Sequence, residues 1–225
     1  LLTQIEDTLK TLIQPKDPAF TLIFEAASYS VFGSGKRLRP LLVITSALAL
    51  GSSIEKALHP ASAIELLHTY SLIHDDLPAM DDDDLRRGKP TLHKVYPEGQ
   101  AILAGDLLLT LCFEILASSP GLSLQQRIDM ITVVAKKSGG EGMVGGQSLD
   151  LFYEDKDLSW EILQKIHLGK TAALLSASLE LGAIIANAPN AIRQTLATIG
   201  EEVGLAFQLV DDLLDQEGCQ DILGI

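Results

Sequence analysis

The chain has 225 residues and a formal charge of -13, with 47% apolar residues but only 5% aromatic ones. A surface this acidic repels phosphate backbones and anionic lipid heads, which argues against nucleic-acid binding and electrostatic membrane docking. The two cysteines, Cys112 and Cys219, lie far apart and have no CxxC partner, so neither a disulfide framework nor a zinc site is expected, and a reducing compartment fits.

The Ala- and Leu-rich mixture suits packed helices better than sheets. In chain order, apolar residues at three- and four-residue spacing predict helices over 3–13, 20–32, 38–50, 60–77, 99–118, 123–138, 142–153, 159–187 and 190–216. Asp17-Pro18 reads as an N-cap followed by proline at the first helical position. Pro78, Gly88, Pro90 and Pro97 mark one long irregular stretch, 78–98, and a loop of that length in a compact domain suggests function. The longest apolar stretches, Leu41–Leu50 and Ala172–Ala188, are too short for a membrane span or are interrupted by Glu180. No linker, repeat or low-complexity tract divides the chain, so the expectation is a single all-α domain over 1–225, an antiparallel helix bundle. The sequence begins at Leu1 rather than Met, which leaves a removed targeting peptide open.

Two helices end in acid. The segment Pro60–Ile73 is apolar on nearly every face, apart from Glu65 and His68, and runs into His74, Asp75 and Asp76. Phe207-Gln208-Leu209-Val210 likewise runs into Asp211, Asp212 and Asp215. Each helical residue advances about 100°, so Asp211 and Asp215 share a face. A single such cluster is more ordinarily a solvated acidic patch. Two of them, each closing an apolar helix, suit Mg²⁺, which binds through one or two carboxylates together with substrate phosphates. Asp82, Asp83 and Asp84 extend the first run, and for them exposure or loop capping is expected rather than metal ligation.

In so acidic a chain the few clustered cations carry weight. Gly33-Ser34-Gly35-Lys36-Arg37-Leu38-Arg39-Pro40 precedes a helix, and Lys36 and Arg39 can meet one anion. Arg86-Arg87-Gly88-Lys89 follows the first aspartate run, and Lys170 stands alone in Gly169-Lys170-Thr171. Singly, each would be a surface cation balancing local acid. Jointly with two carboxylate clusters they describe a cavity for two diphosphates, one held through Mg²⁺ and the other by Arg and Lys.

The stretch Tyr70–Gly88, with Asp75, Asp76 and Asp81 and a trailing Arg86-Arg87, resembles the first aspartate-rich motif of the trans-isoprenyl (polyprenyl) diphosphate synthases. Phe207–Asp215 resembles the second, DDxxD. Gly35–Pro40, Gly145-Gly146-Gln147 with Asp150, and Lys170-Thr171 fall in the family's order, and the resemblance spans 20–216. It implies an isoprenoid-synthase helix bundle around a central cavity and a prenyltransferase that condenses isopentenyl diphosphate with dimethylallyl or geranyl diphosphate. Asp75, Asp81 and Asp211 would ligate several Mg²⁺ ions, supported by Asp76, Asp212 and Asp215. Arg86, Lys170, Thr171 and Gln208 would contact the allylic diphosphate, and Lys36, Arg39, His68 and Arg87 would hold isopentenyl diphosphate. Tyr70, five residues before the motif, and Ser71 would bear on product length, and a bulky Tyr70 is similar to bacterial-type farnesyl synthases. A homodimer and a cytoplasmic location belong to the same expectation, with an organelle open if a targeting peptide was removed.

Family members continue past the second motif with a Gly-Lys and further helices, whereas Asp215 is followed here only by Gln216–Ile225. Those helices are expected beyond this sequence, and a chain without them is expected to have weak or no activity. Three rival readings exist. A class I terpene cyclase is disfavoured by the aspartates at 211, 212 and 215 together with Lys36 and Arg39. A non-catalytic subunit of a heteromeric synthase is disfavoured because both motifs persist. A geranylgeranyl synthase would leave the reaction class unchanged.

Overall fold

The computed structural model describes residues 1–33, 35–154 and 156–217; the side chains of 211 and 214–217 lie outside that description. The helices are α1 (Leu2–Leu12), α2 (Thr21–Val31), α3 (Leu38–Ala49), α4 (Ile54–Asp75), α5 (Leu92–Val95), α6 (Glu98–Ser118), α7 (Leu124–Ser138), α8 (Met143–Tyr153), α9 (Trp160–His167), α10 (Ala173–Ile185) and α11 (Asn190–Glu217). Among the described residues the strands are β1 (Leu85–Arg86) and β2 (Lys89–Pro90), a single antiparallel pair.

The described residues form two compact units. The first holds residues 1–41 and 55–121, and the second holds 42–54 and 122 onward. In the first unit α4 is buried almost throughout, from Ala57 to Ile73, as its all-round apolar surface requires. It begins six residues before the expected start. Pro60 therefore lies inside the helix, not at its head. That position, beyond the first turn, costs the backbone hydrogen bond that Pro60 cannot donate. Asp17 caps as expected, accepting from the Ala19 N–H at 2.9 Å, but the element it caps is a 3₁₀ turn, Pro18–Phe20, leading into α2.

The irregular stretch is more ordered than its prolines suggest. β1 and β2 are joined by Arg87 and Gly88, with φ of 53° and 74°. Positive φ at both central residues is the hairpin geometry that matches strand twist, and glycine at the second position suits it. In the second unit α7 opens on a capping box, Ser123 with Gln126. Gln126 also donates to the Ile184 and Ile185 carbonyls, tying α7 to the end of α10.

Residues Trp160–Ile185 are helical without a break, but Leu168–Ala172 form a π-helical turn. A widened turn of this kind is rare and recurs at functional sites. Both this stretch and α6 are long and apolar enough to cross a bilayer by length and composition alone, which the apolar runs in the sequence do not anticipate. The most apolar stretch of Trp160–Ile185 is 72% buried within the protein, as a core helix is.

Candidate functional site

In the first unit, α4 ends at Asp75 and the chain turns back on itself. The Leu77 N–H donates to the His74 carbonyl at 3.2 Å, Met80 to Leu77 at 2.8 Å, and Asp81 to the Asp75 carbonyl at 2.9 Å. The last of these bonds brings Asp81 back beside the helix end that carries Asp75. Asp75 is half-buried and Asp81 exposed. Asp76 is buried and turned the other way, with its Oδ1 accepting from Arg86 Nε at 2.6 Å and lying 2.6 Å from Arg86 Nη2. Burial pushes the Asp76 carboxyl above its usual range, and Arg86 partly offsets this. The two adjacent aspartates of the motif thus differ in kind: Asp75 faces partly outward, and Asp76 fixes Arg86.

Asp82, Asp83 and Asp84 are exposed, the first of the two roles expected of them, and their contacts hold the loop. The Thr91 hydroxyl donates to the Asp83 carbonyl at 2.6 Å, Lys94 bonds Asp84 at 2.6 Å, and Asp82 lies 3.8 Å from His93 Nε2. The pairing with Lys94 holds the exposed Asp84 carboxyl below its usual value. Just before the motif, the His74 ring packs edge-on against Tyr70 at 5.1 Å and meets the Ile102 carbonyl at 3.0 Å. Gly105 makes room for it, since a Cβ there would overlap the imidazole. Tyr70 is buried, and the Ser71 hydroxyl returns to the His68 carbonyl at 2.8 Å.

A cationic pocket lies in the same unit, lined among others by Gly35, Arg37, Glu65, His68, Asp76, Arg86, Arg87 and Lys89. Burial, followed by the fields of Arg39, Arg87, Arg86 and Arg37, drives the His68 imidazole well below its ordinary pKa, so at neutral pH it adds no charge to an already basic site. Burial brings the Arg39 guanidinium down to about 10, with Glu65 opposing and Arg87 adding to the shift. It remains a cation at neutral pH. His68, Arg86 and Arg87 therefore meet in one pocket; Arg39 acts on it electrostatically, and Lys36 does not line it. Ser34 lies outside the described residues.

Arg37 carries no signal of its own in the sequence. It has φ of 54°, is buried, and spends its guanidinium on Glu6 Oε1 at 2.7 Å, Glu65 Oε1 at 2.8 Å and the Val31 carbonyl at 2.6 Å. It is the anchor of the Gly35–Pro40 segment. Lys89, which also lines the pocket, is likewise absent from the residues expected at the site. A hairpin reading of Arg87-Gly88 would have placed Lys89 opposite Arg86, its register partner.

In the second unit the π-turn sets Lys170 and Thr171 against α8 and α11. Lys170 Nζ lies 2.8 Å from Asp150 Oδ2, and the Thr171 hydroxyl donates to Gln208 Oε1 at 2.8 Å. Gln208 passes its own donor on to Asp212 Oδ1 at 3.3 Å. The close approach depends on missing side chains. A Cβ on Gly146 would overlap the Lys170 backbone nitrogen, and one on Gly204 would overlap Ala172. Asp211 and Asp215 lie on α11, but their side chains are outside the described residues, as is Cys219. Cys112 is a free, buried thiol.

As donors for a metal, the described residues offer no group of three or more His, Cys, Asp or Glu. They offer hard oxygen ligands in small number, with Asp81 folded back to Asp75. Carboxylates in that number fit Mg²⁺, which keeps several waters and binds through one or two carboxylates together with substrate phosphates.

The family described as Polyprenyl synthetase matches residues 20–224. Farnesyl diphosphate synthase of Bacillus subtilis (strain 168) is 47% identical over 198 residues, covering 87% of this chain and 67% of that protein. Geranylgeranyl diphosphate synthase of Cyanophora paradoxa is 43% identical over 222 residues, covering 98% of this chain and 73% of that protein. The crystal structure of geranyltransferase from Legionella pneumophila superposes with a TM-score of 0.88 at 39% identity, covering 97% of this chain and 78% of that one. The helical fold, the two aspartate motifs and these likenesses agree, and the chain belongs to the polyprenyl synthetase family of all-α prenyltransferases.

Proposed function

We propose that this prenyltransferase is a Mg²⁺-dependent farnesyl diphosphate synthase, condensing isopentenyl diphosphate with dimethylallyl and then geranyl diphosphate and releasing diphosphate. The observation that carries the reading is the loop after α4. It folds Asp81 back to Asp75 while Asp76 holds Arg86 at the rim of a basic pocket. One short segment thus prepares carboxylates suited to a metal beside cations suited to an anion.

In this reading Asp75, Asp81 and Asp211 hold Mg²⁺, which when bound neutralises charge on the leaving diphosphate so that the allylic C–O bond ionises. Asp76, Asp212 and Asp215 support those ligands. Arg86, kept in place by Asp76, donates to diphosphate oxygens; Lys170, Thr171 and Gln208 have the same role. Arg87, Arg39 and Lys36 hold isopentenyl diphosphate as cations, with His68 beside them as an uncharged partner. The isopentenyl double bond attacks the allylic cation, and the proton then lost goes to the released diphosphate. The apolar length of α4 excludes water that would quench the cation.

A farnesyl product is supported by the bulk of Tyr70, held by His74, and by the higher identity to the Bacillus farnesyl synthase than to the Cyanophora enzyme. The margin between those identities makes a C20 product the second reading. A cytoplasmic homodimer belongs to the same proposal, with sedimentation of the purified chain as the test of its oligomeric state. The deciding experiment incubates purified protein with Mg²⁺, isopentenyl diphosphate and dimethylallyl diphosphate, followed by chromatography of the dephosphorylated products. A dominant C15 alcohol is expected. A dominant C20 alcohol would replace the farnesyl assignment, and no chain elongation by the full-length protein would defeat the catalytic one.

A further inference from the structure

His167 precedes the π-turn and is not among the residues assigned to substrate or metal. Its side chain is 5% exposed, and its Nε2 lies 3.2 Å from Asp212 Oδ2. The other oxygen of Asp212 accepts from Gln208 Nε2 at 3.3 Å, and Gln208 in turn accepts from Thr171 at 2.8 Å. Both carboxylate oxygens of Asp212 are therefore engaged from within the protein. Among the described residues no group satisfies His167 Nδ1, which is itself sealed from solvent. A proton there would be a buried orphan donor, so the proton is placed on Nε2, the nitrogen that faces Asp212 Oδ2.

The placement is built into the helices. Gly200, Gly204, Gln208 and Asp212 recur every four residues along one stripe of α11. The first two are the close-approach glycines, where a Cβ would strike Ser176 and Ala172. The same stripe then reaches Thr171 and His167, one step further along the π-turn and into α9. Among the described residues, His167 is a buried contact from the end of α9 onto this stripe at Asp212.

We propose that His167 is a positioning residue for the second aspartate cluster: by holding Asp212 it sets the rotation of α11 at residues 211–215, on which metal-diphosphate binding depends. This rests on the metal reading of the proposed function. Partners that orient metal-binding carboxylates typically change metal affinity by about 10–100-fold when removed.

The test is Mn²⁺ binding followed by electron paramagnetic resonance in the presence of inorganic diphosphate, with steady-state kinetics alongside. It compares the wild-type chain with His167→Leu, His167→Gln, Asp212→Ala and the double variant His167→Leu/Asp212→Ala. Leucine keeps the bulk and removes the donor, whereas Gln restores a donor near the Nε2 position. His167→Leu is expected to weaken Mn²⁺ binding about 10-fold or more, with kcat falling and KM for isopentenyl diphosphate little moved, while His167→Gln recovers most of the loss. The double variant should be no weaker than Asp212→Ala alone, because both substitutions break one linkage. Wild-type Mn²⁺ affinity in His167→Leu, or losses that multiply in the double variant, would overturn the proposal. A wild-type chain that binds no Mn²⁺ with diphosphate would instead overturn the metal reading beneath it.

Discussion

Arg37 surrenders nearly all of its hydration to bind Glu6, Glu65 and the Val31 carbonyl, and its side chain is only 4% exposed. Glu65, 5% exposed, takes that cation as its ion-pair partner at 2.8 Å. Replacing Arg37 by Met keeps much of the volume and strands the Glu65 carboxylate. Removing one partner of a buried pair costs about 3–5 kcal/mol, so Arg37→Met should lower the urea midpoint of unfolding by that equivalent; a loss below about 1 kcal/mol would mean that water already screens the pair. His68 gives a pH-dependent counterpart. Its folded pKa lies below the ordinary value of 6.5, through burial first and the surrounding arginines next. The unfolded chain therefore binds this proton more readily than the folded one, and the folded state loses stability as pH falls below about 6.5. The slope contributed cannot exceed about 1.4 kcal/mol per pH unit. His68→Gln has no such proton to bind, so the melting temperature should fall less steeply between neutral and mildly acidic pH than in the wild type. Identical slopes would mean that neither burial nor those arginines depress the His68 pKa.

At the level of elements, contact between α8 and the π-turn is made backbone to backbone. A methyl at 146 meets the Lys170 nitrogen and the Gly169 backbone, none of which can swing away as a side chain would. Gly146→Ala must push α8 outward, and Asp150 with it, loosening the 2.8 Å link to Lys170. Overpacking of this type costs about 1–3 kcal/mol, and the expected result is a melting temperature lower by several degrees together with a fall in kcat greater than that of a surface Gly99→Ala control, whose added methyl meets open space. Unchanged kcat would show that Lys170 does not depend on this contact. Sequence periodicity predicts a helix over 159–187 and the structure has Trp160–Ile185, yet the π-turn inside it is not legible: one extra residue in a turn barely disturbs an apolar pattern of period near 3.6. The hairpin at Leu85–Pro90 escapes for a different reason. Two-residue strands have too few positions to show alternation, and the turn signal is Arg-Gly, not Asn-Gly. The start of α4 is misplaced because proline reads as a helix head. By contrast, the acidic ends of α4 and α11 are legible, because a carboxylate run closing an apolar helix is rare enough to need a cause. The burial of Arg37 is hidden among equally basic neighbours, and the link from His167 to Asp212 joins residues that no local pattern connects.

Across the whole molecule the charge of -13 sets the terms on which a diphosphate can bind. Long-range repulsion opposes any anion approaching such a chain, and it is countered locally by the arginines around His68 and by Lys170. Carboxylates such as Asp75 and Asp81 add to the repulsion unless a divalent cation comes with the ligand. Binding should therefore be a joint event. Inorganic diphosphate with Mg²⁺ should raise the melting temperature well above the sum of the shifts given by either alone. A ligand at about 100 times its dissociation constant contributes about 2.7 kcal/mol, which for a chain of this length is on the order of 5–10 °C. Chelation by EDTA should remove most of that shift, leaving only what the arginine pocket provides by itself. Substituting Asp81→Asn should weaken the Mg²⁺-dependent part and leave the chelated melting temperature unchanged within about 1 °C, because Asp81 is exposed. A full shift in the presence of EDTA would mean that the cationic pocket alone holds the diphosphate and that the aspartates closing α4 and α11 serve some other end.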